Sequence, residues 1–133
     1  MRRGGQTIDV NAERTLVVGN YDLLARAAGN LVENALKWNA PEAVVEVTVE
    51  AGVFKVRDHG PGISESDRPR VFDRFYRSEA ARGKPGSGLG LAIVKQIIEA
   101  HGGQVWVEPA PGGGTIAAFS IAPVAFDAPA AAV

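Results

Sequence analysis

The sequence of 133 residues contains no cysteine and only two histidines, His59 and His101. The absence of cysteine excludes disulfide bonds, thiolate metal sites and a cysteine nucleophile. Two histidines that lie this far apart in the chain are too few for a histidine-based zinc site. Any catalysis or metal binding must therefore use other groups.

The chain also lacks an excess of charge and a long apolar run. Its 14 Lys and Arg residues oppose 15 Asp and Glu residues, which gives a formal net charge of −1. No overall basic surplus points to nucleic acid as a partner. No apolar run approaches the roughly 18 residues that a membrane-spanning helix needs, and no signal-peptide hydrophobic region begins the chain. We expect no part of this chain to enter a membrane, although a longer parent protein could do so.

What is present is typical of one soluble globular domain, since hydrophobic residues make up 46% of the chain and charged residues 22%. We expect this domain to span residues 7–122. The basic, glycine-rich stretch at residues 1–6 is predicted to be flexible, and the Ala/Pro-rich tail at residues 123–133 is predicted to be disordered.

The apolar pattern predicts strands near both ends of the chain and two helices between them. Helical periodicity after the capping residue Asn20 predicts a helix at Tyr21–Trp38, which Pro41 stops. A second helix is predicted at residues 88–101, with a glycine cap. The predicted strands lie at residues 6–10 and 15–19 with a turn between them, on both sides of a hairpin turn at Ala51–Gly52, and at residues 104–108 and 115–122. This order indicates an α+β two-layer sandwich.

An acidic side chain is predicted on the covered face of the sheet. Phe54, Val56 and Asp58 fall in phase, so the Asp58 carboxylate points inward, where it needs a hydrogen-bond donor. Gly60 and Gly62 then let a ligand approach the backbone. A carboxylate here could accept the exocyclic amine of adenine and repel the carbonyl that guanine presents at that edge. The alternative is an ordinary strand-ending Asp in a turn.

Three further segments carry polar or glycine-rich patterns. Asn30, Asn34 and Lys37 form one helical stripe, which suits an amide ligand for Mg²⁺ and a cation for phosphate, or simply a solvated face. The glycines at 86–90 precede a helix as an anion-binding loop would, or as a flexible linker would. This spacing is neither a P-loop nor a good dinucleotide fingerprint. Residues 70–84 mix aromatic anchors with cations that could neutralise a terminal phosphoryl group, or form a basic surface loop.

Taken in order, these segments resemble the catalytic and ATP-binding domain of bacterial sensor histidine kinases, and actinobacterial ones in particular. The resemblance covers about Tyr21 to Ile121. The matching stretches are NLVENALKW at 30–38, DHGPGI at 58–63, VFDRFYR at 71–77, GSGLGLAIVK at 86–95, HGG at 101–103 and GGT at 113–115.

The resemblance implies a Bergerat (GHKL) fold, in which helices cover one face of a mixed sheet and a mobile lid closes over Mg-ATP. It implies that Asn34 ligates Mg²⁺, that Asp58 reads adenine and that Trp38 lies along the adenine or sugar. Asn30 would support the metal–phosphate shell, and Lys37 would meet phosphate. The resemblance implies that three residues contact the γ-phosphate: Arg77, Lys84 and Ser87. Of these, Arg77 and Lys84 would be catalytic. The remaining implied nucleotide-binding residues are Gly60, Gly62, Ile63, Gly88, Leu89, Gly90 and Thr115.

The resemblance also implies the reaction and its partners. The γ-phosphate would pass to a histidine on a separate dimerisation and phosphoacceptor domain, and from there to a response regulator. Neither His59 nor His101 has the sequence context of that histidine, so this chain alone is not expected to phosphorylate itself. We expect a monomeric cytoplasmic domain that binds no nucleic acid, from a parent that forms homodimers in the inner membrane.

Three alternatives stay open on the sequence. An anti-sigma-factor serine kinase shares the fold but lacks the aromatic box at 71–77. A catalytically silent adenine-nucleotide-binding module would bind ATP without transfer, so phosphotransfer to a supplied helical domain would separate it from a kinase. A nicotinamide-dependent oxidoreductase would need strand–glycine–helix order, which the sequence lacks.

Overall fold

The structure is a computed structural model of the chain, and it describes residues 2–3, 6–74, 76 and 90–124. The elements in chain order are β1 (Arg2–Arg3), β2 (Gln6–Ala12), α1 (Tyr21–Trp38), β3 (Val44–Glu50), β4 (Val53–Arg57), a 3₁₀ turn (Arg68–Arg70), α2 (Gly90–Ala100), β5 (Gln104–Pro109) and β6 (Thr115–Ser120).

The strands form one mixed sheet in the order β1-β2-β3-β4-β6-β5. Strands β2 and β3 are parallel, and the other neighbouring pairs are antiparallel. A parallel pair needs a long crossover connection, and α1 supplies it. The predicted α+β fold is confirmed.

The hairpin between β3 and β4 follows from its two turn residues. Ala51 and Gly52 both have positive φ, 52° and 84°, as a two-residue hairpin turn with the twist of the strands requires. Glycine is needed at the second position because a Cβ there would lie 2.2 Å from the carbonyl oxygen of Ile121. The predicted hairpin is confirmed.

Helix α1 has the predicted bounds. The Asn20 side chain caps it by accepting a hydrogen bond from the Leu23 N–H at 2.9 Å, which satisfies one of the orphan donors of the first turn. The helix buries Ala27, Leu31 and Ala35. Leu31 is fully buried, and truncating such a leucine to alanine costs about 2–5 kcal/mol.

The core lies between the two helices and one face of the sheet. Helix α2 packs beside α1 and ends at Ala100; Gly102, with a φ of 77°, follows it as the left-handed cap predicted there. The buried apolar side chains of the core include Leu31, Val45, Val47, Val56, Val94, Ile98, Ala117 and Phe119. No helix in the described part of the chain is long and apolar enough to cross a membrane.

Two expectations about the first twenty residues are wrong. Strand β2 continues to Ala12, where a turn was expected, because it pairs along its length with β3. The predicted strand at 15–19 is reduced to a single bridge between Leu16 and Val124. The rest of this stretch pairs with no strand of the described sheet, in which the long partner of β2 is β3.

The expected chain ends are only partly described. Arg2–Arg3 pairs with Thr7 and Gln6, so the sheet takes in residues from the stretch that we expected to be flexible. The N-terminal start of the second helix at 88, most of the expected lid and the tail from 125 onwards lie outside the described residues. The domain bounds 7–122 stay a prediction.

Candidate functional site

Asp58 follows the last residue of β4 and is the acidic side chain at the centre of the site. It is 5% exposed, so its predicted inward orientation is confirmed. Its Oδ1 accepts hydrogen bonds from the N–H groups of Gly60 at 2.9 Å and Thr115 at 3.2 Å. Its own N–H donates to the Thr115 carbonyl at 2.9 Å. The carboxylate therefore sits between two loops that hold it in place.

Burial raises the pKa of the Asp58 carboxyl above its ordinary value, while the N–H donors of Gly60 and Thr115 oppose that rise. Among the described residues, both hydrogen bonds to the carboxylate fall on Oδ1. The second oxygen, Oδ2, is thus left for a donor from outside the protein. Such a donor would add a hydrogen bond to a carboxylate that is already largely shielded from water.

Glycines let the backbone close around Asp58. A Cβ on Gly114, whose φ is 95°, would lie 2.1 Å from the Asp58 carbonyl oxygen. A Cβ on Gly60 would lie 2.3 Å from the carbonyl oxygen of Trp38. Glycine at position 60 is thus also required by the end of α1, and its predicted role beside a ligand stays a prediction. Gly62 has a φ of 82°, which favours glycine.

Asn39 is a site-organising residue that the sequence patterns do not reveal. Its Oδ1 accepts from the His59 N–H at 2.8 Å, and its Nδ2 donates to Gln6 Oε1 at 3.0 Å and to the Ala43 carbonyl at 2.9 Å. The one available signal is its position directly after a predicted helix, where small polar residues often satisfy free backbone groups.

One residue of the polar stripe of α1, Asn30, contacts the start of α2. The Asn30 amide donates to the Gly90 carbonyl at 3.3 Å. Asn30 and Asn34 are half-buried, so the solvated-face alternative does not describe them, whereas Lys37 is exposed. The Lys37 ammonium lies 5.9 Å from the centre of the Trp38 ring. The structure therefore places an amide of α1 against the start of α2 and a cation near the Trp38 ring.

Ile63 and Thr115 line a small crevice beside Asp58, together with Arg68, Val107, Glu108 and Pro109. The Arg68 Nε donates to the Ile63 carbonyl at 3.3 Å. Thr115 is 7% exposed, so its backbone N–H, and not an open side chain, is what reaches Asp58. Thr115 supports the carboxylate through its N–H, and the nucleotide-binding roles of Ile63 and Thr115 stay predictions.

The segment after the crevice is anchored as predicted by aromatic residues. Phe72 is buried, and the Tyr76 hydroxyl donates to Asp67 Oδ1. The guanidinium of Arg70 lies 4.7 Å from the centre of the Tyr76 ring. The other predicted site residues of this segment lie outside the described residues: Arg77, Lys84, Ser87, Gly88 and Leu89.

A family model of histidine kinase-, DNA gyrase B- and HSP90-like ATPases matches residues 19–125. The chain belongs to this family. The solved structure of the mycobacterial sensor histidine kinase MprB superposes with a TM-score of 0.83 at 38% identity, over 92% of this chain and 88% of that chain. The predicted Bergerat fold is confirmed.

Curated relatives place this ATPase domain among the sensor histidine kinases. The histidine-protein kinase/phosphatase MprB of Mycobacterium sp. (strain KMS) is 48% identical over 118 residues, which are 85% of this chain and 23% of that protein. The chain thus spans about a quarter of the length of the relatives it matches. Full-length ShkA in complex with AMPPNP superposes with a TM-score of 0.74 at 28% identity, over 90% of this chain and 26% of that one.

The comparisons confirm the predicted histidine-kinase resemblance, and they favour it over the serine kinase and the oxidoreductase. The geometry adds a limit on metal binding. No group of three or more His, Asp or Glu side chains within the described residues could hold a metal ion. An ion bound here would take most of its ligands from phosphate oxygens and water, as Mg²⁺ commonly does in phosphate sites.

Proposed function

We propose that this domain binds ATP with Mg²⁺ and presents the γ-phosphate to a histidine on a phosphoacceptor domain elsewhere in its parent protein. The observation that carries the proposal is the buried Asp58 carboxylate, 5% exposed, whose Oδ1 is held by two backbone N–H groups. The ShkA complex with AMPPNP, a structure that shares this fold, supports the proposal that the domain binds a nucleotide.

Adenine selectivity follows from the second oxygen of Asp58. Oδ2 would accept the exocyclic amine of adenine. Guanine carries a carbonyl at that position, so two acceptors would face each other in a site with little water, and a buried unpaired acceptor costs about 1–3 kcal/mol. Trp38, half-buried at the end of α1, would provide a flat surface along the base or sugar.

The phosphates would lie toward the start of α2. Lys37 would meet them from α1, and the N–H groups around Gly88, Leu89 and Gly90 would hold their oxygens at a helix N-terminus. The Asn34 amide oxygen would ligate Mg²⁺, with Asn30 supporting the same shell. Bound Mg²⁺ would neutralise part of the phosphate charge. Arg77, Lys84 and Ser87 would contact the γ-phosphate.

Slow hydrolysis is part of the proposal. In related ATPases of this fold, the resemblance places a water-activating glutamate where this chain has Asn30. A side-chain amide cannot take a proton from water, and the Asn30 amide is engaged with the Gly90 carbonyl. The γ-phosphate would therefore be kept until the acceptor histidine arrives.

The parent protein would supply the phosphoacceptor domain with its histidine. We propose that it is a homodimeric membrane kinase of the inner membrane, that this domain lies in the cytoplasm, and that a response regulator receives the phosphoryl group. No nucleic acid partner is proposed. The isolated domain is expected to be monomeric and unable to phosphorylate itself.

The first test is a calorimetric titration of ADP and then GDP into the domain, each with and without Mg²⁺. We expect ADP to bind, Mg²⁺ to strengthen it, and GDP to bind at least tenfold more weakly. Absence of ADP binding in a folded sample would overturn the proposal. Mixing with the separately expressed phosphoacceptor domain and ATP then distinguishes a kinase from a silent binding module, because only a kinase yields phosphohistidine.

A further inference from the structure

Asn39 ties the end of α1 to the loop that carries Asp58. Its side chain is 8% exposed, and its Oδ1 accepts the His59 N–H at 2.8 Å. His59 is the residue next to Asp58, and Trp38 is the residue next to Asn39. One hydrogen bond therefore joins the two chain segments that bear the proposed base-contacting side chains.

The same amide is held from the opposite side. Its Nδ2 donates to Gln6 Oε1 at 3.0 Å and to the Ala43 carbonyl at 2.9 Å. Gln6 in turn donates to the Leu36 carbonyl at 3.0 Å, one of the last carbonyls of α1. A group held at both ends of its amide has little freedom to shift, so the His59 backbone is held with it.

An amide is the side chain that suits this position. Two acceptors face its nitrogen and one donor faces its oxygen. A carboxylate would keep the bond to His59 but would bring its second oxygen against two acceptors. Alanine would remove the amide, so the His59 N–H, Gln6 Oε1 and the Ala43 carbonyl would each lose a hydrogen-bond partner. Unpaired polar groups at a buried position are costly.

We propose that Asn39 is a positioning residue for adenine discrimination, which acts by setting the distance between Trp38 and the Asp58 carboxylate. The contact between Gly60 and Trp38 supports this, since a Cβ on Gly60 would lie only 2.3 Å from the Trp38 carbonyl oxygen. The two segments therefore meet directly, backbone against backbone, beside the hydrogen bond that Asn39 makes to His59. The proposal rests on the adenine site proposed above and deepens it.

The test compares Asn39→Ala with Asn20→Ala. Both variants remove an asparagine that serves one end of α1, but Asn20 caps the far end through the Leu23 N–H. Affinities for ADP and for inosine diphosphate, which carries a carbonyl in place of the adenine amine, are measured below the unfolding transition of each variant. We expect Asn39→Ala to lower the preference for ADP about tenfold and Asn20→Ala to leave it unchanged.

Hydrogen exchange gives a readout without nucleotide. The N–H groups of Gly60 and Thr115 both donate to Asp58 Oδ1, so loosening of the Asp58 loop should speed their exchange in Asn39→Ala and not in Asn20→Ala. Asn39→Asp keeps an acceptor for the His59 N–H, so we expect it to retain more ADP preference than Asn39→Ala even where it is less stable.

The outcomes separate this proposal from the one on which it rests. If the wild-type domain binds ADP selectively and Asn39→Ala binds with the same selectivity and exchange, the positioning role is wrong and the adenine site stands. If the wild-type domain does not prefer ADP over inosine diphosphate, both fail. Equal effects of Asn39→Ala and Asn20→Ala would show a general loss of stability and would also overturn the positioning role.

Discussion

Asp58, at the proposed base end of the nucleotide site, and Lys37, at the proposed phosphate end, differ in their surroundings. Asp58 is 5% exposed, and its Oδ1 is held by N–H groups from two loops. Lys37 is exposed and lies 5.9 Å from the centre of the Trp38 ring. Its neighbours on the stripe, Asn30 and Asn34, are half-buried.

The difference separates two tasks. The Asp58 end is built by backbone hydrogen bonds within the protein, so its geometry exists before a nucleotide binds, and it suits selection of a base. The Lys37 end offers polar side chains of one helix and the start of another, and the proposed phosphates and Mg²⁺ would bring further charge there. We therefore expect substitutions at the Asp58 end to change selectivity and stability, and those at the Lys37 end to change dependence on Mg²⁺.

The largest effect is expected from Gly114→Ala. Its φ of 95° disfavours alanine, and the new Cβ would lie 2.1 Å from the Asp58 carbonyl oxygen. Strain and overpacking together should lower the free energy of unfolding by about 2–5 kcal/mol. Gly113→Ala is the matched control, because its φ is 115° and no atom lies within 4 Å of its Cβ. Urea denaturation that gave equal losses for both would contradict the close packing around Asp58.

The next effect is expected from Asp58→Asn. The asparagine Oδ1 can still accept from Gly60 and Thr115, but an N–H₂ group would replace Oδ2 and meet the adenine amine donor to donor. Affinity for ADP should fall by about 10- to 100-fold, with the fold retained. Asp9→Asn, an exposed acid on β2, is the control. Calorimetric affinity equal to that of the wild type would remove Asp58 from base recognition.

A smaller and different effect is expected from Asn34→Ala at the Lys37 end. If the Asn34 amide ligates Mg²⁺, its loss should weaken ADP about tenfold in the presence of Mg²⁺, and hardly at all in EDTA. Arg26→Ala, an exposed position on α1, controls for loss of a side chain from the helix. Equal weakening with and without Mg²⁺ would assign Asn34 to direct nucleotide contact.

The two ends also differ in how well the sequence predicts them. Helix α1 was predicted with its observed bounds because Asn20 and the apolar period are local signals. The burial of Asp58 was predicted because alternation in β4 extends one residue past the strand. The hydrogen-bond partners of Asp58 and Asn39 were not predictable, because Thr115 and Asp58 are 57 residues apart in the sequence and Asn39 and His59 are 20 apart. Such contacts depend on how distant segments meet.

The wrong prediction at residues 15–19 has the same cause. TLVVG has the composition of a strand, but strand formation requires an open neighbouring edge. In the structure β2 takes β3 as its long partner, and within residues 15–19 only Leu16 finds a partner, in Val124. Conversely, β2 pairs in parallel with β3 through the α1 crossover, and no local pattern in the sequence indicated that direction.

The smallest effect is expected from a change of pH. It tests whether the buried, ionised Asp58 carboxylate destabilises the domain before a ligand binds. Burial raises the pKa of folded Asp58 above the ordinary value of 3.8. Between those two values the folded state binds more protons than the unfolded state, so the free energy of unfolding falls as pH rises through that window. This loss of stability is absent when the pH lies below the ordinary pKa of 3.8, and it is complete when the pH lies above the raised pKa of folded Asp58. It should be modest because the N–H groups of Gly60 and Thr115 oppose the burial effect.

Asp58→Asn, which has no ionisable group there, isolates this contribution. The difference in free energy of unfolding between Asp58→Asn and the wild type, from urea denaturation across the pH window, should shift in favour of the variant as pH rises and then level off. Other carboxyl groups cancel in that difference. A shift in favour of the wild type would mean that the N–H donors outweigh burial. The Asp58 end would then stabilise the unliganded domain, and the affinity for adenine would owe nothing to relief of a buried charge.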